Sequence, residues 1–364
     1  MYTLREVYGD GFHLVGLYCP RDERERHLKL QYGMSQDEID TLIGRDDKEP
    51  SALGQYVRET FHLSDVFFRI NADGGGIDEA VERWINLLFG LAIHSPTFEE
   101  FGMFQAYGAS QRSAQLSRQV GASILTDRGD VIAVGANEVP RAGGGQYWEG
   151  DRRDDRDHKR KLDSNDEIIR EILLEALGAT VDGWNSMGTA ERTSLFEQTK
   201  TKLKGSRLLS LTEFVRAVHA EMDAILSASR NGVSVRRATL YCTTFPCHNC
   251  AKHIVSAGIK KVVYVEPYPK SLSSRLHDDS ISLDRREANK VTFAPFVGIA
   301  PRRYGDLFSM KTSTGIVLQR KDDDGKLIEN RIPELRLKMP HFSMFGQERK
   351  AAAKLLEKIP KEMS

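Results

Sequence analysis

The chain has 364 residues, which is enough for two domains of ordinary size with buried cores. Hydrophobic residues make up 40% of the sequence and charged residues 29%, a composition typical of a globular protein that works in water. Lys and Arg together number 52, as do Asp and Glu, so the formal net charge is zero. A protein whose affinity depends on nucleic-acid phosphates usually carries a basic excess, so the charge balance argues against that class.

Neither a membrane protein nor a disulfide-rich secreted protein is indicated. No apolar stretch approaches the roughly 20 residues that span a bilayer, and the first residues lack the pattern of a signal peptide. We therefore expect a cytoplasmic protein with no membrane partner. Cys247 and Cys250 are separated by two residues, which in a reducing compartment indicates metal or redox chemistry more than a disulfide.

Residues 1–100 alternate between strand and helix patterns. Residues 12–18 and 65–70 are apolar, strand-like runs, and residues 77–91 place apolar side chains at helical spacing. This order is typical of α/β structure with a parallel sheet.

From about residue 111 the pattern predicts a second α/β domain. Residues 120–126 and 131–136 are predicted to form a hairpin around the turn sequence Asp127-Arg128-Gly129-Asp130. Residues 143–207 are interpreted as a partly helical insertion whose many charges are more typical of a solvated surface than of a binding site.

The rest of this domain is predicted to run helix, strand, helix, strand. A helix is expected from Thr212, as the N-cap, to about Arg230, and a second helix at 246–257 between strands at 238–243 and 261–266. We assign residues 101–310 to this domain and residues 311–364 to a C-terminal extension with a terminal helix.

Two separated sequence motifs carry the chemistry. His219 and Glu221 lie in the segment Val218-His219-Ala220-Glu221, and Cys247 and Cys250 lie in Pro246-Cys247-His248-Asn249-Cys250. A catalytic zinc takes three protein ligands and keeps a fourth position for water, and one imidazole with two thiolates meets that requirement. The N-terminus of a helix also favours the thiolate form of cysteine. We predict that His219, Cys247 and Cys250 bind Zn²⁺ and that Glu221 transfers protons as general acid and base.

Two other interpretations of the cysteines are weaker. A structural zinc site needs a fourth protein ligand, and Cys242 could supply it, but its alternating neighbours indicate a core strand. A thioredoxin-like redox pair would give no role to His219 and Glu221.

Together these motifs resemble the cytidine and deoxycytidylate deaminase superfamily, over about residues 111–266. The segments Arg118-Gln119-Val120-Gly121-Ala122 and Gly135-Ala136-Asn137-Glu138-Val139-Pro140 resemble the first hairpin of deoxycytidylate deaminases. The resemblance implies a cytidine-deaminase-like mixed sheet flanked by helices. It also implies that Asn137 binds the deoxyribose, that the Ala220 backbone N–H binds the pyrimidine carbonyl, and that Tyr268 lies near the phosphate. Lys270 would meet a further phosphate, although an exposed surface lysine is an equally good interpretation.

A narrower resemblance is to bacterial anti-phage deoxycytidine-nucleotide deaminases, in which a nucleoside-kinase-like P-loop domain precedes the deaminase. It identifies residues 1–100 with a partial kinase-like segment. The sequence contains no Gly-x-x-x-x-Gly-Lys-Ser/Thr motif, so kinase activity is not expected. The resemblance further implies a homo-oligomer and regulation by an RNA or protein antitoxin.

The sequence therefore predicts zinc-dependent deamination of a deoxycytidine nucleotide, dCTP or dCMP, that depletes dCTP in anti-phage defence. One alternative is a deaminase acting on cytosine or adenine in nucleic acid, which would need a basic groove with stacking aromatic residues. Another is an inactive deaminase fold that senses nucleotides.

Overall fold

The computed structural model describes residues 1–47, 60–71, 76–268, 271–312, 315–329, 332–337 and 344–356. The chain divides into two compact units. Unit 1 comprises residues 1–104, 265–267 and 295–364, and unit 2 comprises residues 105–264 and 268–294. The domain boundaries drawn from the sequence stay predictions.

The regular elements of the described residues are given in chain order. The strands are β1 (Val15–Tyr18), β2 (Val66–Arg69), β3 (Gly121–Leu125), β4 (Val131–Ala136), β5 (Thr239–Thr244), β6 (Lys261–Glu266), β7 (Ile281–Leu283), β8 (Val291–Pro295) and β9 (Gly298–Ile299). The helices are α1 (Tyr2–Tyr8), α2 (Arg21–Tyr32), α3 (Gln36–Asp47), α4 (Asp78–Leu88), α5 (Phe98–Ser110), α6 (Asp157–Arg160), α7 (Ser164–Thr180), α8 (Thr189–Lys202), α9 (Ala220–Arg230), α10 (His248–Ser256), α11 (Ser273–Leu276), α12 (Tyr304–Phe308) and α13 (Met344–Leu356). Short 3-10 turns lie at Gly9–Gly11, Phe61–Leu63, Trp184–Ser186, Leu208–Ser210 and Pro301–Arg303.

Unit 1 contains a three-stranded sheet in the order β1-β2-β9. Strands β1 and β2 are parallel, with Val15 opposite Val66, which confirms the parallel arrangement predicted from the alternating pattern. Strand β9 comes from much later in the chain and pairs antiparallel with β2. Apolar side chains of β2 pack with those of α4 and α12, so the core of this unit joins the early and late parts of the sequence.

A buried carboxylate, Asp65, lies directly before β2. It accepts hydrogen bonds from the backbone N–H of Leu14 at 2.8 Å, from Arg5 at 2.9 Å and from Arg303 at 2.8 Å. Burial alone would raise the pKa of Asp65, but these donors and the charge of Arg302 outweigh it and hold the pKa below its usual 3.8. The ionised carboxylate therefore ties the N-terminal residues to the segment after β9.

Unit 2 is built on a six-stranded mixed sheet in the order β4-β3-β5-β6-β8-β7. Strand β3 pairs antiparallel with both β4 and β5, whereas β7 and β8 are parallel. The β3–β4 pair is the hairpin predicted around Asp127–Asp130, and it closes with the Thr126 N–H donating to the Asp130 carbonyl. Small residues of α9 (Ala220, Ala224 and Ala228) pack in one apolar cluster with residues of α10 and of the sheet.

Helix α9 begins later than the sequence predicted. The expected N-cap was Thr212, but the helix starts at Ala220 and its N-cap is His219. Val218 instead forms an antiparallel bridge with Glu138, donating its N–H to the Glu138 carbonyl and accepting the Glu138 N–H. The prediction of the start at residue 212 was wrong because this long-range pairing commits the backbone just before His219 to a bridge, and residues 213–214 form a turn instead of helix.

The segment interpreted as an insertion contains α6, α7 and α8. Asp163 is the N-cap of α7, and its carboxylate accepts the N–H groups of Asn165 and Asp166. A small apolar cluster joins α7, α8 and the turn between them through Leu173, Leu177, Trp184 and Phe196. The predicted helical character of this segment is confirmed.

Among the residues that the structure describes, no helix is both long enough and apolar enough to cross a membrane.

Candidate active site

Three predicted metal ligands meet in unit 2. His219 is the N-cap of α9, Cys247 is the N-cap of α10, and Cys250 lies in the first turn of α10. His219 Nδ1 lies 3.3 Å from the Sγ of Cys247 and 3.3 Å from the Sγ of Cys250. Two helix N-termini therefore converge on one point, and each offers side chains there.

The three donor atoms fit a zinc ion. Bond lengths of about 2.0–2.1 Å to nitrogen and about 2.3 Å to sulfur place tetrahedral N and S ligands about 3.6 Å apart. The observed nitrogen–sulfur distances of 3.3 Å lie within a few tenths of an ångström of that value. An imidazole with two thiolates is also the donor set of catalytic zinc sites that keep one position open. Among the described residues, Cys242 does not belong to this cluster, which argues against a four-ligand structural site.

The electrostatics of the cluster favour a charged sulfur. The pKa of Cys247 is lowered to about 4, chiefly because Cys250 hydrogen-bonds to its sulfur and also because of the neighbouring imidazole. The pKa of His219 is raised to about 9, chiefly by its hydrogen bond with Cys247. Zinc takes the thiolate and the neutral imidazole, so metal binding by these residues would release protons.

Glu221 is the second residue of α9 and is only 4% exposed. Its pKa is raised above 4.5, first by burial and then by the negative charge of Cys247. A raised pKa brings a carboxyl group closer to the pH range in which it can both accept and donate a proton. Cys242 is buried beside it, and burial together with the charge of Glu221 raises the pKa of that thiol well above its usual value. Cys242 is thus a protonated core residue.

A glycine in β4 lets α9 approach the sheet. A methyl group at Gly135 would lie 2.2 Å from the carbonyl oxygen of Ala220 and 2.4 Å from the amide nitrogen of Ala224. Backbone of the strand and backbone of the helix are thus in direct contact at the first turn of α9. The absence of a side chain at Gly135 therefore sets how closely the start of α9, with His219 and Glu221, approaches the sheet.

A cavity of about 280 Å³ is lined by His219, Glu221 and Cys247. Ala220 also lines it, and as the first residue of a helix its backbone N–H has no partner within the helix. Backbone donors at a helix N-terminus suit a carbonyl or anionic group of a ligand. Two of the predicted metal ligands, His219 and Cys247, therefore line one cavity together with the acid–base residue Glu221 and the backbone donor of Ala220.

Asn137 lines the same cavity and is held by backbone. Its Oδ1 accepts the N–H of Val120 at 2.7 Å, and its Nδ2 donates to the carbonyl of Arg118 at 2.9 Å. The following residue, Glu138, is fully buried. Its carboxylate accepts the backbone N–H groups of Ala114 and Val139, both at 2.8 Å, so it braces the loop from inside.

Tyr268 completes one side of the cavity, and the Arg118 guanidinium lies 6.0 Å from the centre of its ring. Burial, followed by the charge of Cys247, raises the pKa of Tyr268. Lys270, the remaining predicted site residue, lies outside the described residues.

Several lining residues were not predicted from the sequence. They share no motif and come from two loops: Gln115, Ser117 and Arg118 before β3, and Thr212, Val215 and Ala217 before α9. Arg118 lies in a segment that served only to support the family resemblance. Its positive charge was the one feature of the sequence that could have indicated a binding role.

Comparison with known proteins assigns the family. Residues 96–266 match the family model of the cytidine and deoxycytidylate deaminase zinc-binding region. The chain is 35% identical over 170 residues to the deoxycytidylate deaminase of Enterobacteria phage T2, covering 46% of this chain and 78% of that protein. It is 26% identical over 201 residues to the human deoxycytidylate deaminase, covering 54% and 79% of the two chains. A solved dCMP deaminase of cyanophage S-TIM5, in complex with dCMP and dUMP, aligns at 20% identity with a TM-score of 0.31 over 56% of this chain and 98% of that one.

A mixed α/β unit with a His-Cys-Cys cluster beside a buried glutamate defines a zinc-binding hydrolytic enzyme. The chain belongs to the cytidine and deoxycytidylate deaminase family, and it is a hydrolytic deaminase of nucleotide metabolism. The resemblance drawn from the sequence is confirmed at this level, whereas the kinase-like character of residues 1–100 stays a prediction.

Proposed function

We propose that this protein hydrolyses a deoxycytidine nucleotide, dCMP or dCTP, to the corresponding deoxyuridine nucleotide and ammonia. The observation that carries the proposal is a single cavity whose lining includes Glu221, the predicted metal ligands His219 and Cys247, and the sugar-binding candidate Asn137. The phage T2 and human relatives are deoxycytidylate deaminases, which supports a phosphorylated deoxycytidine as the substrate.

His219, Cys247 and Cys250 would hold the zinc ion. When bound, zinc supplies Lewis acidity that makes water nucleophilic near neutral pH. Glu221 takes one proton from the attacking water and delivers it to the ring nitrogen; it then takes the second proton from the added hydroxyl group and delivers it to the departing amino group. Water adds at the amino-bearing carbon of cytosine, the carbon–nitrogen bond breaks, and ammonia leaves.

Binding groups around Glu221 orient the base and the sugar. The backbone N–H of Ala220 can donate to the pyrimidine carbonyl because no earlier turn of α9 uses it. The Asn137 amide is held by the backbone of residues 118 and 120, so it can meet the deoxyribose with little loss of conformational freedom. Among the described residues that line the cavity, Arg118, beside Tyr268, carries a guanidinium group that suits a phosphate.

The test is an assay of ammonia release with zinc-loaded protein and dCMP, dCTP, deoxycytidine, CTP or a cytosine-containing oligonucleotide. We expect turnover of a deoxycytidine nucleotide and its loss in Glu221→Gln, with full activity in Glu171→Gln, a matched change on an exposed helix face. Reaction of the oligonucleotide alone would favour the nucleic-acid alternative. Zinc binding without any turnover would favour the nucleotide-sensing alternative.

Other features extend the proposal by resemblance alone. They are depletion of dCTP in anti-phage defence, assembly as a homo-oligomer, an RNA or protein antitoxin, and a cytoplasmic location. Each stays a prediction.

A further inference from the structure

Gln115 of the cavity lining is held by two buried carboxylates. Its Nε2 lies 3.3 Å from Oε1 of Glu138 and 3.4 Å from Oδ2 of Asp157. Glu138 is 0% exposed and Asp157 is 3% exposed. Carboxylate oxygens only accept hydrogen bonds, whereas a primary amide has two N–H donors and one carbonyl acceptor. The NH₂ group must therefore be the part of Gln115 that faces both carboxylates.

Both carboxylates are anchored independently of Gln115. Glu138 accepts two backbone N–H groups, from Ala114 and Val139. Asp157 accepts Nη1 of Arg216 at 2.7 Å, and the same nitrogen donates to the carbonyl of Asp155 at 3.1 Å. Because Asp157 belongs to the insertion, a residue of that segment helps to set the orientation of a side chain in the cavity wall.

The remaining polar atom of Gln115, its carbonyl oxygen, can only accept a hydrogen bond. A matching ligand must present a donor. A 5′-phosphorylated deoxycytidine carries two kinds of donor, the 4-amino group of the base and the 3′-hydroxyl of the sugar. The amino group reacts beside Glu221, so the 3′-hydroxyl is the donor left for Gln115.

We propose that Oε1 of Gln115 accepts a hydrogen bond from the 3′-hydroxyl of the substrate. Glu138 and Asp157 are positioning residues that keep the amide in the accepting orientation. This inference rests on the proposed function, and it assigns a task to the insertion, which the sequence alone left as solvated surface.

The experiment compares kcat/KM for dCMP and for its 3′-deoxy analogue, 2′,3′-dideoxycytidine monophosphate, in the wild type and in Gln115→Ala. We expect the wild type to prefer dCMP by about tenfold, the size of one hydrogen bond, and the variant to lose most of that preference. The ratio compares two substrates on one protein, so a loss of folded protein lowers both rates and leaves it unchanged. A variant that keeps the wild-type ratio overturns the role of Gln115.

Asp157→Asn tests the positioning step. An asparagine can offer its own N–H to Gln115 and so allow the amide to turn, and we expect the preference for dCMP to fall toward that of Gln115→Ala. Asp155→Asn is the matched control, because Asp155 contacts Arg216 through its backbone carbonyl and its side chain is exposed. If Asp157→Asn keeps the wild-type ratio of kcat/KM between dCMP and its 3′-deoxy analogue, the positioning role of Asp157 is overturned. A wild type that turns over neither dCMP nor dCTP overturns the proposed function instead.

Discussion

Replacing Gly135 by alanine should damage both stability and the metal site. The added methyl group would lie 2.2 Å from the Ala220 carbonyl oxygen and 2.4 Å from the Ala224 amide nitrogen. Ordinary contacts are about 3.5 Å, so backbone of α9 or β4 must shift by more than about 1 Å. Overpacking costs about 1–3 kcal/mol when side chains can adjust, and here the obstacle is backbone, so we expect about 3 kcal/mol or more.

The measurement is thermal unfolding followed by circular dichroism, together with the zinc content of the purified protein. A loss of about 3 kcal/mol corresponds to a fall in Tm of about 6–12 °C for a unit of this size. Zinc content should fall as well, because the displaced turn directly follows the predicted ligand His219.

Gly108→Ala is the matched control. Gly108 lies within α5, its side-chain position is open, and alanine there should raise the stability by about 0.5–1 kcal/mol. The same substitution is thus expected to act with opposite signs at the two positions. An unchanged Tm and zinc content in Gly135→Ala would refute the close backbone approach.

Two further perturbations separate the site from the scaffold. Cys250→Ser should lower the zinc content to background, whereas Cys242→Ser should retain zinc, because Cys242 is a core thiol outside the cluster. Equal loss of zinc in both variants would contradict the assignment of three ligands. In unit 1, Asp65→Asn should cost about 3 kcal/mol in urea unfolding, because it removes the buried charge that Arg5 and Arg303 share, although Arg303 keeps its ion pair with Asp10. The pKa of Asp65 is lowered on folding, so its contribution is present above the usual pKa of 3.8 and is lost as the pH falls through the folded value. Wild-type stability should therefore fall more steeply with acid than that of Asp65→Asn, and parallel acid profiles would refute this.

Local patterns predicted the chemistry because its signals are short-range. The Cys-x-x-Cys spacing places two sulfurs on the first turn of α10, and Ala220 separates His219 from Glu221 at the start of α9. The hairpin of β3 and β4 was likewise marked by its turn residues. Such features depend on a few neighbouring residues, so they can be recognised without knowing what packs against them.

The start of α9 shows where local patterns fail. Thr212 has the properties of an N-cap, yet the chain from there to Val218 is not helical. The Val218–Glu138 bridge supplies backbone hydrogen bonds that a helix would otherwise make, and the sequence gives no sign of that partner. The consequence for function is direct, because this non-helical segment contributes Thr212 and Val215 to the cavity lining.

The amino-acid sequence by itself identified the family and predicted the donor set for zinc and the acid–base residue, since each depends on residue type and close spacing. Only the tertiary structure decided which distant segments complete the cavity. Gln115 meets Asp157 across 42 positions of sequence, and β9 pairs with β2 from the far end of the chain. Contacts of this kind are stable only when the whole unit is packed, as at Gly135 against α9. They therefore cannot be predicted from any single segment of the sequence.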